Sequence, residues 1–492
     1  MRNRAIDVNS LLQGANVVVA ILLLAALATG MRNDYLDSTT LGLGLLLCLQ
    51  TQLALMLERV RRDPFVVMLS FSMIAFYSLR IFTLAITPYS LVFDRFGFSA
   101  DGTNFALGFM IVANTLMYAG LGVSKLGQQR AIDASDWKPT APGVVVALMI
   151  VTLLLAYSSG NYLSEMPRAV AVLVVFLSPP IIISMSLAYV LVFRRGLSRT
   201  AVIAISALLI LETLAHSLWG SRSAIPEFLQ TLLLIGLAVF GQVSVKRRYV
   251  VLGIGLMPVF GALLVAVFAV STYNRVMRVA EGGRALDVAF ALKTVREGGA
   301  QLADQALDVV LPPVLARAGY FDFSAEVIAH RDIYRSVVNP PAYGRSIIDN
   351  LLTPGFDMFD QPLMANAIRF LYANHGPPSK QAVGEAYHSD QIGGYGELFT
   401  LFGYGSLPLF LFIPFVLKRV YTQLRSANPL TLAMKRIIVL SLFPQLINSF
   451  GFDWIVVQTV PFVIAVAGYS LLFTARRMPA PAALPQHGLA NA

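Results

Sequence analysis

LLQGANVVVAILLLAALAT, residues 11–29, runs nineteen residues without a charged side chain. A helix needs about 20 mostly apolar residues to cross the ~30 Å core of a bilayer. Eleven further stretches of this kind follow, at 39–57, 64–86, 103–123, 143–158, 169–192, 200–219, 228–245, 249–273, 397–417, 436–452 and 456–475. The stretch at 143–158 is short, and 436–475 reads either as two spans or as one re-entrant pair. The whole chain agrees with its parts. Of its 492 residues 57% are hydrophobic and 13% charged, with a mean hydropathy of +0.69. Soluble chains carry about 25% charge, so a soluble enzyme and a disordered chain are both excluded. The expected class is an all-α polytopic integral membrane protein of about 12 transmembrane helices. The single cysteine, Cys48, lies in an apolar run, so no disulfide forms within one chain.

The charges between the runs set an orientation. Arg2, Arg4, Arg59, Arg61, Arg62, Lys125, Arg130, Lys138, Arg194, Arg195, Arg199, Lys246, Arg247 and Arg248 fall in one set of loops. So do Lys418, Arg419, Arg425, Lys435, Arg436, Arg476 and Arg477. The short loops of the other set hold only Arg32, Arg95, Arg168 and Arg222. Basic loops stay in the cytoplasm, which puts both termini there. The net charge of +10 reflects this asymmetry and gives no argument for nucleic-acid binding. The first run also has the look of a signal peptide, with Ala26-Leu27-Ala28 as a cleavage pattern. The spans that follow favour an uncleaved first helix.

The expected organisation is nine spans in 1–273, a large external loop at 274–396, three spans in 397–475 and a cytoplasmic tail at 476–492. The loop holds 11 Lys/Arg and 13 Asp/Glu. Its first part has apolar residues at helical spacing (Ala285, Val288, Ala289 and Leu292, then Leu302, Ala306, Val309 and Val310) until Pro312-Pro313 ends the pattern. From Asn339 to Gly396, Gly and Pro pairs predict ordered loop with short helices. A loop this long in a compact protein is usually functional.

Charged residues inside spans are costly to insert and therefore informative. Arg80 sits past the middle of the third span. It reads either as snorkelling toward the external headgroups or as an anion site open to the outer leaflet. Glu212 and His216 share one face of the seventh span, either as a proton-handling pair or as a packing link. Arg222 follows just outside. In the loop, Arg275, Arg278, Arg331, Arg345 and Arg369 are candidates for binding an anion, because the guanidinium fork gives phosphates two parallel hydrogen bonds. The plainer reading of each is a solvated or acid-paired arginine. No HExxH, DxD or Cys/His spacing is present, so no metal is expected. No Walker loop is present either, which argues against direct use of ATP.

The segment Tyr387-His388-Ser389-Asp390-Gln391-Ile392-Gly393-Gly394-Tyr395-Gly396-Glu397-Leu398-Phe399-Thr400-Leu401-Phe402-Gly403-Tyr404-Gly405 resembles the membrane re-entry point of bacterial oligosaccharide repeat-unit polymerases, the O-antigen polymerase family. The layout is similar too: about a dozen spans, one large late external loop and cytoplasmic termini. O-antigen ligases share that layout, and His388-Ser389 matches the start of their motif. The resemblance implies a GT-C-like fold in the bacterial inner membrane. It implies an enzyme that joins undecaprenyl-pyrophosphate-linked oligosaccharides without metal or cofactor, with a chain-length regulator protein as a possible partner. Arginines would hold the anionic leaving group. His388, with Glu397 close behind it, would deprotonate or orient the acceptor hydroxyl, with Glu212 and His216 as the next candidates. A lipid-linked glycan flippase or transporter is the reading from another class. It predicts a cavity near the midplane, where the enzyme predicts a site under the external loop.

Overall fold

The computed structural model describes residues 5–61, 63–90, 93, 96–123, 131–139, 142–158, 179–218, 224–253, 255–256, 320–351, 358–372, 393–448, 451–472 and 475–477. Within them the chain is helical apart from two short antiparallel ladders, an addition to the all-α expectation. Strand β1 (Ala5–Asp7) pairs with β3 (Ser244–Lys246), and β2 (Trp137–Pro139) with β4 (Ala475–Arg477).

Among the described residues six helices are long and apolar enough to cross a membrane: Val8–Ala28, Ser38–Leu57, Pro64–Ile86, Ala100–Val123, Gly393–Gln423 and Pro429–Asn448. They coincide with the first four, the tenth and the eleventh expected spans. Shorter apolar helices at Pro142–Leu154, Ile181–Phe193 and Phe228–Phe240 fall on the fifth, sixth and eighth. The first helix leaves Val17, Val18, Ile21 and Leu24 exposed, and the second does the same with Leu46, Leu49, Leu53 and Leu57. Contiguous exposed apolar surface of this extent is out of place in water. It suits lipid, and the chain is a membrane protein. The first part of the expected external loop, 274–319, and most of the ninth span lie outside the described residues.

In chain order the helices are α1 (Val8–Ala28), α2 (Ser38–Arg61), α3 (Pro64–Ser72), α4 (Leu79–Ile86), α5 (Ala100–Val123), α6 (Pro142–Ser158), α7 (Pro179–Phe193), α8 (Arg199–Leu218) and α9 (Ala224–Phe240). Then come α10 (Phe321–Ala329), α11 (Arg331–Arg335), α12 (Pro340–Leu351), α13 (Met364–Tyr372), α14 (Gly393–Phe402), α15 (Leu407–Gln423), α16 (Pro429–Asn448) and α17 (Phe452–Leu472). The last of these starts directly after Gly451, which is not helical. It and α16 each have about the length of a bilayer core at 1.5 Å per residue.

Two spans are irregular, each for a local reason. Asp63 caps α3, its side chain accepting from the Phe65 amide at 3.0 Å, and Pro64 fits the first helical position. Nine residues after Pro64 the helix widens into a π-helical segment, Met73–Ser78, before continuing as α4. Such widenings are frequent at functional sites. The tenth expected span starts earlier than 397 and is two helices. A 3₁₀ turn, Gly403–Ser406, joins α14 to α15, and Gly403 supplies the positive φ of 56° that a side chain would resist.

One buried ion pair pins each end of the third span. Lys418 Nζ lies 2.6 Å from Asp63 Oδ2, both side chains 2% exposed, and Lys418 also donates to the Leu121 carbonyl at the end of α5. Arg80, about 25 Å further along the same span at 1.5 Å per residue, pairs with Asp322 of α10. Phe65 packs edge-on against Tyr421 and Phe443 between these pins, with centroids 5.2 and 5.5 Å away.

The lysine- and arginine-bearing loops gather on one side. Both ladders join such loops, with Ala5 opposite Lys246 and Trp137 opposite Arg477. Arg194 lies over the Phe240 ring, and Arg436 donates to the Ala238 carbonyl. The loops that the charge rule assigns to one face are therefore neighbours in space. Helices α10 to α13 pack on the other side, α10 against α14 and α5, and α12 against α17.

Candidate functional site

Three elements meet near the middle of the bundle: the π-helical segment, the first turn of α14, and the end of α16 with Gly451 before α17. Tyr77 of the π-helical segment donates to the Ile447 carbonyl at 2.9 Å, and its ring meets that of Tyr395 edge-on. The Tyr395 hydroxyl reaches Met73 Sδ at 3.7 Å. Asn448 donates its amide to Ser72 Oγ at 2.6 Å. Ser72 lies about 14 Å from Asp63 by helical rise, roughly halfway along its span, so Asn448 at the end of α16 sits at that depth. Helix α14 can enter so closely because Gly394 has no side chain. A methyl group there would fall 2.2 Å from the Leu446 carbonyl oxygen.

Glu397 and Asp453 converge at Gly451, 2% and 0% exposed. Glu397 Oε1 accepts from the Phe452 amide at 2.6 Å. Asp453 Oδ2 accepts from Ser346 Oγ of α12 at 2.5 Å and from the Met364 amide of α13 at 2.8 Å. Both carboxyls face Gly451. A methyl group on Gly451 would lie 2.8 Å from Asp453 Oδ1 and 3.2 and 3.4 Å from the two Glu397 oxygens. Tyr343 of α12 faces the pair, and burial, followed by the Glu397 and Asp453 carboxyls, holds its phenol well above the ordinary range. The positive end of the α17 dipole points at the same place.

The other expected residues divide. Arg80 is 2% exposed and neither snorkels nor stands open. Its Nε and Nη2 form a two-pronged bond to Asp322 at 2.9 and 2.6 Å, Nη2 also donates to the Tyr89 carbonyl, and Ser90 completes the Asp322 shell at 2.8 Å. Arg331 donates Nε to the Phe399 carbonyl at 2.9 Å, which caps the end of α14, and its guanidinium rests against Gly403. Arg345 lies 5.9 Å from the Phe359 ring centroid. Asp349 beside it ties down the following turn by accepting from the amides of Met358, Phe359 and Gln361. Glu212 is buried in α8, away from the convergence at Gly451. The side chains of His216 and Arg369, and residues His388, Arg222, Arg275 and Arg278, lie outside the described residues.

A second pair, of a carboxyl and an imidazole, lies in the loop. His330 Nδ1 lies 3.0 Å from Glu326 Oε1, with the rings of Phe96 and Phe98 around the imidazole. The Glu326 hydrogen bond raises the His330 pKa, and burial raises that of Glu326. Both groups hold protons more tightly folded than unfolded, so stability is full at low pH and falls as pH rises past the unfolded values. The decline continues through the raised His330 value. Thermal unfolding followed from about pH 6 to about pH 8, around the ordinary histidine value, should show a falling midpoint with a shallower slope in His330→Gln. Equal slopes would remove the pair from the pH response.

Among the described residues no group of three or more His, Cys, Asp or Glu side chains is placed to hold a metal ion. Sequence reasoning names Glu397 but none of the residues packed around it or around Arg80: Asp453, Ser346, Tyr343 and Asp322. A signal for Asp453 existed: it is the only acidic residue after Glu397 in the chain. The chain matches no known protein-family model, no curated protein and no solved structure.

Proposed function

We propose that the protein is a polysaccharide polymerase of the bacterial inner membrane, with both termini cytoplasmic and about twelve spans in a GT-C-like arrangement. It would join undecaprenyl-pyrophosphate-linked repeat units at the external face. The observation that carries this reading is the position of the Glu397–Asp453 pair. It lies at the start of α17, with Glu397 on the Phe452 amide and Asp453 bonded to α12 and α13 from the loop side. Transfer needs a base for the acceptor hydroxyl, donors for the pyrophosphate and an apolar path for the lipid. Glu397 and His388 are the candidates for the first. Arg331, Arg345 and Arg369 with Arg222, Arg275 and Arg278 are those for the second, while Arg80 acts by holding Asp322 in place.

In this reaction the acceptor oxygen bonds to the anomeric carbon as its proton passes to the base. The carbon–oxygen bond to the pyrophosphate breaks, and its electron pair leaves with undecaprenyl pyrophosphate. Deleting the gene and sizing the lipid-linked glycans tests the reading. Loss of long chains with accumulation of single repeat units is the expected result. Long chains left on lipid point instead to a ligase. Purified protein should also polymerise repeat units in EDTA at its full rate. A rate that stops and returns with added Mg²⁺ or Mn²⁺ would overturn the metal-free mechanism.

One observation favours a second reading, an ion-coupled flippase for the same lipid-linked glycans. Acidic side chains at discontinuous helices are a feature of transporter sites. Normal chain length with repeat units trapped on the cytoplasmic leaflet would identify it.

A further inference from the structure

Phe399 gathers α5, α11 and the turn after α14 into one cluster. Its ring is tilted against Phe109 at 4.5 Å between centroids, and it meets Phe105 and Tyr404 edge-on at 5.8 and 5.6 Å. The guanidinium of Arg331 lies 5.7 Å from the same ring centroid. It is held in place by Nε, which donates to the Phe399 carbonyl, and by Gly403, where a methyl group would fall 3.3 Å from Cζ and Nη2. Capping the negative end of α14 uses Nε alone. Among the described residues Nη1 and Nη2 have no acceptor, and no carboxylate pairs with the group. Arg331 is partly exposed. The result is a guanidinium fork that is fixed, charged and open.

Its surroundings are aromatic and turned outward. Phe105 is 42% exposed, Tyr404 64%, and Phe402 beside Gly403 48%. Phe105 lies about 8 Å by helical rise from Ala100, the end of α5 that approaches Ala329 of α10. In a helix that crosses a bilayer core of ~30 Å, this is close to the boundary between headgroups and acyl chains. Aromatic side chains are enriched at that level, and phosphates lie just beyond it.

Two kinds of phosphate come to this depth, that of a bilayer lipid and that of a lipid-linked substrate. The direction of the side chains separates them. Glu397 and Phe399 are two residues apart, about 200° around α14. Glu397 meets Phe452 of α17, whereas Phe399 meets Phe105 and Phe109 of α5. Helix α14 therefore stands between Arg331 and the Glu397–Asp453 pair.

We propose that Arg331 binds the headgroup phosphate of a bilayer phospholipid, in the leaflet on the side of α10 to α13, with Phe105 and Tyr404 against its acyl chains. A guanidinium gives a phosphodiester two parallel hydrogen bonds, and a phospholipid supplies both the anion and the apolar chains that this corner receives. The bound lipid ties α11 and the 3₁₀ turn Gly403–Ser406 to the membrane surface. Of the arginines named for the leaving pyrophosphate, Arg331 is thereby assigned to a different phosphate. The site involves no glycan, so it stands or falls separately from the polymerase reading.

Native mass spectrometry of the purified protein, released from detergent, tests the assignment. Phosphatidylglycerol and diacylglycerol with the same acyl chains are titrated, and the tightest-bound copy is followed. Wild type should hold phosphatidylglycerol at least about tenfold more tightly, the value of hydrogen bonds to a charged group. Arg331→Gln should lose that preference, and Arg331→Lys should keep only part of it, since lysine has the charge without the fork. Tyr404→Ala should weaken both lipids alike. Equal affinity for the two lipids in wild type, or an unchanged preference in Arg331→Gln, overturns the proposal. So does displacement of phosphatidylglycerol by an equal concentration of inorganic phosphate, which marks a free-anion site, or of undecaprenyl phosphate, which marks a substrate site. The comparison of lipids and competitors is made on wild type, so it decides the matter even where a variant fails to fold.

Discussion

Glu397→Gln should lower the rate of repeat-unit polymerisation by about 10²–10⁴-fold, the usual contribution of a positioned general base. Glutamine keeps the shape of the side chain and its acceptor oxygen for the Phe452 amide. What it loses is the ability to take up a proton. The measurement is single-turnover polymerisation at matched protein levels, with the amount of folded protein checked by gel filtration. His388→Ala should cost at least the lower end of the same range if His388 shares the work. A Glu397→Gln enzyme with the wild-type rate would take Glu397 out of the chemistry and leave it a structural acid.

The second large effect concerns stability. Asp322→Ala should destabilise the protein by about 3–5 kcal/mol, the loss expected when one partner of a buried ion pair is removed and the other stays buried. Arg80 has 2% of its surface exposed, and two of its nitrogens bond to Asp322. With Asp322 gone it would face a site built for a counter-charge. The figure is read from the midpoint of thermal or denaturant unfolding in detergent. Replacing both residues together by apolar side chains of similar size should restore most of the loss, because no charge is then stranded. A single variant within about 0.5 kcal/mol of wild type, the range of ordinary surface changes, would show that water reaches Arg80.

The fold was more legible than the site. Apolar run length found the helices at Val8–Ala28, Ser38–Leu57, Pro64–Ile86 and Ala100–Val123 to within a few residues, because the bilayer imposes a length that sequence must match. It did not find the π-helical segment at Met73–Ser78 or the 3₁₀ turn at Gly403–Ser406. Those arise from packing between spans, such as the approach of Gly394 to Leu446, and leave hydropathy unchanged. At the site, Glu397 stood out as a charge at a span boundary. Asp453 carried the same signal, but its partners Ser346 and Met364 are 107 and 89 residues earlier in the chain. No local spacing encodes a contact of that range. Arg80 stood out in the sequence as a charge inside a span, but its partner Asp322 comes from a helix whose place against the bundle only tertiary packing decides.

The two ladders set an order for biosynthesis. Ala5–Asp7 leaves the ribosome first but finds its partner only when Ser244–Lys246 has been made. At about 5–20 residues per second that wait is roughly 10–50 s. Trp137–Pro139 waits longer, for Ala475–Arg477. Until then each early strand presents unpaired backbone to its surroundings. The seam that β2 and β4 close therefore forms only after every helix before Ala475 has been made, and a chain stopping short of Ala475 would keep that seam open.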